Sequence, residues 1–265
     1  MSMAQHISGK TAALASLRQR IRQLERLGGA RPEAVSPALK LLEPLDSLWP
    51  EGGLPLGCLH EARSDDSPAG AAALTAFAAA IGGRLGMVLW CARRGDVHGA
   101  RIYAPGLARV GLMPARLLAV TASSDAALLG VMEEGLRHSL LACVVGEVDK
   151  LDLTASRRLH LAAEKSGVTA LVLRTSSRRA ETEPIAAAGR WRITPFPSAH
   201  HAIAEAGAPR WSLELLQSRN GATGAWIVEA PDAQGHLRLS SALDHGLAAA
   251  PAASGQWPGQ HRAAG

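Results

Sequence analysis

A segment with the position of a phosphate-binding loop lies near residue 65, between an apolar run and an alanine-rich stretch. Its residues are Arg63, Ser64, Asp65, Asp66, Ser67, Pro68, Ala69, Gly70 and Ala71. A loop that binds ATP needs glycines for close backbone approach, a lysine for the β- and γ-phosphates and a Ser or Thr hydroxyl for Mg²⁺. This segment has no lysine, and Ala71 and Ala72 stand where the hydroxyl belongs.

The other residues of this loop also oppose nucleotide binding. Asp65 and Asp66 add negative charge that repels a triphosphate. Pro68 removes a backbone N–H that would donate to phosphate. We therefore predict a degenerate loop that holds no nucleotide cofactor and supports no hydrolysis.

No other group of residues has the spacing of a catalytic or metal site. Ser64 and Ser67 lack the Gly-x-Ser-x-Gly context of an activated serine. The histidine pair at 200–201 has no cysteine or carboxylate cluster at ligand spacing, which favours a loop pair over a metal site. We predict that the chain is not an enzyme and binds no metal or cofactor. The widely spaced cysteines predict buried, reduced thiols at Cys58, Cys91 and Cys143.

Basic charge gathers in two parts of the chain, whose formal net charge is +5. Residues 1–35 hold six basic residues against two glutamates, and residues 174–220 hold seven arginines against four glutamates. Such clusters permit contact with nucleic acid or with an acidic protein, and a plain solvated surface is the alternative. The candidates for weak, salt-sensitive contact with DNA are Arg174, Arg178 and Arg179.

An amphipathic helix is predicted over residues 11–27, ahead of a linker that contains Gly28-Gly29. Its apolar stripe has spacings of three, four and three residues and is surrounded by arginines. The stripe either docks on the chain's own core or packs on a neighbouring subunit or partner. The residues of this N-terminal stripe are Leu14, Leu17, Ile21 and Leu24.

The part of the chain that must position these residues has the alternation of an α/β protein. Short apolar runs predict strands at 56–62, 85–90, 117–121, 140–145 and 169–173. Those that are apolar throughout, such as Leu-Ala-Cys-Val-Val at 141–145, indicate burial on both faces of a mostly parallel sheet. Between them, helices are predicted at 69–81, 105–110, 125–138 and 155–166, the last with Thr154 as N-cap. Alternating strands at 190–194, 211–217, 225–229 and 237–240 predict an antiparallel C-terminal extension, with a turn at Asn220-Gly221.

The predicted organisation has three parts: the helix and linker (1–35), the α/β core (36–245) and a tail (246–265). The tail contains few large apolar side chains, so we expect it to be disordered. The chain opens on a polar segment, and no apolar run is long enough for a membrane helix. We therefore expect a cytoplasmic protein that does not contact a membrane.

The core resembles that of RecA-like ATPases. Residues 53–57 read Gly-Leu-Pro-Leu-Gly before the first core strand, and residues 102–107 read Ile-Tyr-Ala-Pro-Gly-Leu after the next one. The resemblance also identifies what is missing. The stretch 91–94, Cys-Ala-Arg-Arg, has no Glu to activate water. The Asp that closes the Walker B strand falls at Gly146, although Glu147 and Asp149 lie nearby. By the same resemblance, the two DNA-binding loops correspond to shortened segments at 146–153 and 175–189.

Among degenerate RecA relatives, the chain most resembles the ImuA family over residues 10–242. The shared features include the basic N-terminal helix, Leu-His-Glu-Ala at 59–62, Trp-Ser-Leu-Glu-Leu-Leu at 211–216 and Gly-Ala-Trp-Ile-Val-Glu at 224–229. The resemblance implies a non-catalytic, RecA-like adaptor of the SOS-induced translesion synthesis mutasome. Its implied partners are ImuB, an inactive relative of Y-family polymerases, and an error-prone DnaE-type polymerase, with RecA as a further candidate. The alternatives are a SulA-like cell-division inhibitor and a residual nucleotide-binding switch or ATPase.

Overall fold

The computed structural model describes residues 19–20, 38–93, 102–174, 183–196 and 208–240. Within these ranges the strands are β1 (Ala38–Leu39), β2 (Leu54–Pro55), β3 (Leu59–Arg63), β4 (Val88–Arg93), β5 (Leu117–Ala122), β6 (Cys143–Val148), β7 (Thr169–Arg174), β8 (Gly189–Phe196), β9 (Arg210–Ser218), β10 (Gly224–Glu229) and β11 (Arg238–Leu239). The helices are α1 (Glu43–Asp46), α2 (Pro68–Leu85), α3 (Ala104–Ala108), α4 (Asp125–Leu136) and α5 (Leu153–Ser166), with a 3-10 turn at Pro114–Arg116.

Nine of these strands form one sheet in the order β11-β10-β9-β8-β3-β7-β6-β4-β5. The strands from β8 to β5 run parallel to their neighbours, whereas β9, β10 and β11 join by antiparallel pairing. The predicted α/β class, with a mostly parallel sheet and an antiparallel C-terminal part, is confirmed. The boundary between the two parts differs from the prediction, because β8 pairs in parallel with β3 and antiparallel with β9.

The sheet is covered by helices on both faces, which explains the wholly apolar strands. On one face, Phe77 and Ile81 of α2 pack with Trp90 and Trp191, and the rings of Phe77 and Trp191 lie 6.1 Å apart. On the other face, α4 and α5 pack on β4, β6 and β7. The helix α2 is therefore fixed at the carboxyl end of β3, where the candidate phosphate loop lies.

Several element boundaries differ from the sequence prediction. The helix α2 continues through Gly83 to Leu85, because the bare Cα at Gly83 lets the backbone of Gly111 and Leu112 approach closely. The following strand consequently begins at Val88. Strand β6 also begins three residues late, because the buried Leu141 and Ala142 belong to the connection from α4.

The start of α5 is capped by a residue other than the predicted Thr154. The carboxylate of Asp152 accepts a hydrogen bond from the N–H of Ala155 at 2.6 Å, and the helix begins at Leu153. Thr154 therefore lies inside the first turn, and the capping rule applies to the acidic residue two positions earlier. None of the helices in the described ranges is long and apolar enough to cross a membrane.

Candidate functional site

The connection between β3 and α2 is shorter than the sequence comparison predicted. Strand β3 ends at Arg63 and α2 begins at Pro68, so only residues 64–67 form the loop. The sequence comparison counts residues 63–72 as the loop, whereas the structure places residues 68–72 in the helix.

The polar groups of this short loop bind one another. Ser67 caps α2: its Oγ accepts from the N–H of Gly70 at 2.9 Å and donates to Oδ1 of Asp65 at 2.6 Å. The N–H of Ser67 also donates to Asp65 Oδ1, at 3.2 Å. On the buried side, the hydroxyl of Ser64 donates to the carbonyl of Ile193 in β8.

The carboxylate of Asp65 lies against the first turn of α2. A Cβ added at Gly70 would overlap both this carboxylate and the hydroxyl of Ser64. Gly70 is therefore required for the close approach of the chain's own acidic side chain. A helix N-terminus favours an anion through its N–H groups and dipole, and here Asp65 supplies that anion.

The end of β4 carries a cation at the position where the resemblance to RecA-like ATPases predicted an acid to be missing. The guanidinium of Arg93 lies 3.0 Å from Oδ2 of Asp149 and 3.7 Å from Oδ1 of Asp125. Asp149 follows β6 and Asp125 begins α4, so Arg93 joins three elements at the carboxyl edge of the sheet. The two carboxylates therefore share one cation of the chain.

Strand β6 places the residue predicted for the Walker B position inside the strand. Gly146 is followed by two further strand residues, so it does not close β6 as the sequence comparison assumed. A Cβ at Gly146 would overlap Sδ of Met132 and lie 2.7 Å from its Cε. The neighbouring Glu147 points to the opposite face and accepts a hydrogen bond from Nε1 of Trp90 at 2.8 Å. The predicted first DNA loop, 146–153, is reduced to residues 149–152.

The structure buries Arg174, one of the three candidates for DNA contact. Its guanidinium lies 3.4 Å from Glu61 Oε1 and 3.0 Å from Glu183 Oε2, and its side chain is 1% exposed. Nε of Arg190 donates to the other oxygen of Glu61 at 2.6 Å. Arg174 therefore belongs to a buried charge network and does not present its guanidinium to a DNA backbone. Arg178 and Arg179 lie outside the described residues.

Sequence reasoning missed Glu61 as the centre of this network, because its partners follow 113 and 129 positions later. The available signal was a carboxylate in the middle of an apolar strand, since a buried charge is kept only when it is paired. The N-terminal stripe (Leu14, Leu17, Ile21 and Leu24), the histidine pair at 200–201 and the tail all lie outside the described residues.

The remaining reactive side chains in the described ranges serve the core. The prediction of buried, reduced thiols at Cys58, Cys91 and Cys143 is confirmed. Burial raises the pKa of the Cys143 thiol to about 12, so it stays protonated at neutral pH. Burial lowers the pKa of His60 to about 4, and its Nε2 lies 2.8 Å from the carbonyl of Pro55. The described residues contain no group of three or more potential metal ligands.

Comparison with known proteins identifies clear relatives, although no family model matches the chain. The chain is 40% identical over 237 residues to Protein ImuA of Caulobacter vibrioides strain NA1000/CB15N. The same identity holds for Protein ImuA of Caulobacter vibrioides strain ATCC 19089/CB 15. Each match covers 82% of this chain and 95% of the relative. The matched region includes far more than the short motifs, so the chain belongs to the ImuA family.

Proposed function

We propose that the chain is a non-catalytic, RecA-like adaptor of the SOS-induced translesion synthesis mutasome. In this role it binds an ImuB-type inactive Y-family polymerase and supports a DnaE-type error-prone polymerase. RecA is a further candidate partner, and any contact with DNA is weak and salt-sensitive.

The observation that best supports the proposal is the sequence similarity to Protein ImuA. The match is 40% identical and spans 82% of this chain and 95% of the relative, so it extends far beyond any single motif. Function resides in sites and surfaces more than in the fold. A relationship at this level supports a common assembly more strongly than a shared α/β architecture would.

The proposed absence of catalysis is supported by the carboxyl edge of the sheet. Phosphoryl transfer requires groups that are free to position a nucleotide, a metal ion and a water molecule. At this edge Asp65 accepts from Ser67, the N-cap of α2, Arg93 pairs with Asp149 and Asp125, and Glu147 accepts from Trp90. Reassigning these groups to a substrate would break several contacts of the fold at once.

We further propose that the N-terminal stripe supplies the contact with the ImuB-type partner. Leu17→Asp combined with Ile21→Asp is expected to abolish complex formation, because two charges interrupt an apolar stripe that must be desolvated on binding. Co-purification of the variant with the co-expressed partner measures this, and the melting temperature of the core should remain unchanged.

A matched control is Gln19→Asp combined with Gln23→Asp, which adds the same charge at the same spacing. Gln19 is helical and exposed, so this pair lies off the stripe. The control should still bind. Capture of the partner by the Leu17/Ile21 variant at the wild-type level would refute the assignment of this interface. Binding to the bacterial division GTPase in place of the ImuB-type protein would instead support the SulA-like alternative.

A further inference from the structure

A groove lies between the two helices that cover one face of the sheet. It has a volume of about 650 Å³, and we call it the α4–α5 groove. Its lining includes Glu133 and Arg137 from α4 and Arg158, Leu161, Ala162 and Lys165 from α5. Leu161 is 63% exposed, which is unusual for a large aliphatic side chain in the described part of the chain. The groove therefore combines an exposed aliphatic side chain with a charged rim.

The rim has a net positive charge, and two carboxylates of α4 contact its arginines. Glu134 lies 3.4 Å from Arg137. Glu133 pairs with Arg137 at 2.7 Å along α4 and with Arg158 across the two helices. The side chains of Arg137 and Arg158 are 60% and 61% exposed. Three cations (Arg137, Arg158 and Lys165) stand against two carboxylates, Glu133 in the lining and Glu134 beside it, so one positive charge remains at the rim. Side chains already fixed by Glu133 lose less conformational entropy when a ligand binds them.

The charge of the groove limits what can occupy it. The N-terminal segment of this chain is itself basic, and residues 241–265 contain one Asp and one Arg, so neither is complementary to the rim. A nucleic acid matches the charge, but the groove lining has no aromatic side chain for base stacking, and Glu133 repels phosphate. An acidic peptide with an aliphatic anchor matches both the rim and Leu161.

We propose that the α4–α5 groove binds an acidic segment of a partner protein, which seats an aliphatic side chain against Leu161. Carboxylates of that segment pair with Arg137, Arg158 and Lys165 at the rim. This contact is separate from the N-terminal stripe. It therefore does not depend on the identity of the protein that binds the stripe.

The test uses the full chain and a fluorescent amphipathic peptide with leucines along one face and glutamates on both sides of it. Binding is measured by fluorescence anisotropy. The combined change Arg137→Gln, Arg158→Gln and Lys165→Gln is expected to weaken binding about tenfold, because three surface charge pairs are lost. Leu161→Ser keeps the charges and should weaken binding by a similar factor. Raising the salt concentration should weaken wild-type binding but should affect the triple variant little.

The matched control is Lys150→Gln with Arg157→Gln and Arg238→Gln, which removes the same charge outside the groove. All three positions are exposed, and none lines the groove. Wild-type affinity of this control supports the proposal. Three outcomes would overturn it: no binding of the acidic peptide, equal binding by the groove and control variants, or displacement of the peptide by an oligo-dT strand at equal affinity. The last outcome would identify a nucleic-acid surface instead.

Discussion

Glu61→Ala is expected to lower the free energy of unfolding by about 3–5 kcal/mol, one of the two largest effects that the structure predicts. The carboxylate of Glu61 is 1% exposed and contacts both Arg174 and Arg190. Its removal leaves the buried guanidinium of Arg174 with only the half-exposed Glu183 as a carboxylate neighbour among the contacts described above. Equilibrium unfolding in urea measures the change.

The control for this prediction is Glu133→Ala, because Glu133 also bridges two arginines but does so at the surface. Its partners Arg137 and Arg158 can return to water, so the expected loss is about 1 kcal/mol or less. Comparable losses for the two variants would show that burial of the Glu61 network does not govern its contribution.

Gly146→Asp, which puts an acid at the predicted Walker B position, is expected to cost about 3 kcal/mol or more and to produce no ATP hydrolysis. The new Cβ would overlap Met132, and the carboxylate would be forced into the apolar layer between β6 and α4. Urea unfolding measures the stability, and phosphate release measures hydrolysis.

Combining Gly146→Asp with Met132→Ala separates the free-energy cost of steric overlap from the cost of burying a charge. The double variant should recover part of the lost stability, because Met132 provides the atoms that overlap the new side chain. If the Gly146→Asp variant is as stable as the wild type, position 146 can hold an aspartate side chain. The conclusion that core packing excludes an acid there would then be wrong. Hydrolysis above background would contradict the non-catalytic account directly.

The sequence was informative where local composition decides structure. Apolar runs such as residues 143–145 and 170–173 are buried on both faces, so they predict parallel strands without knowledge of their neighbours. The absence of Lys and the presence of Asp65, Asp66 and Pro68 likewise concern a single short segment. The inference that this loop does not hold a nucleotide needs only those residue types.

The sequence was less informative where a residue's environment depends on residues far away in the chain. Arg174 ends an apolar strand and precedes two further arginines, so its position suggested a basic loop. Its burial follows from Glu61, which β3 brings alongside β7 in the sheet. The α4–α5 groove was missed for the same reason, because Arg137 and Leu161 lie on different helices and meet only after the sheet positions them.

The loop length was also overestimated from the resemblance. The resemblance counts residues 68–72 as part of a phosphate loop, whereas the helical pattern of the sequence already begins at residue 69. Here Pro68 is favourable in the first turn and Ser67 is a strong N-cap, so the helix begins directly after the four-residue connection. The capping residues therefore determine where the helix begins, and the spacing of the phosphate-loop motif does not.

The central claim is that the chain binds an ImuB-type partner without using a nucleotide, and calorimetry tests it most directly. The partner is titrated into the protein with and without ATP and Mg²⁺, and ATP with Mg²⁺ is titrated into the protein alone. Because coupling between two ligands is reciprocal, a nucleotide that acted as a switch would change the affinity for the partner. We predict partner binding with dissociation constants equal within about twofold, and no heat of ATP binding. Micromolar ATP binding, a change of about tenfold in partner affinity or no partner binding would contradict the account.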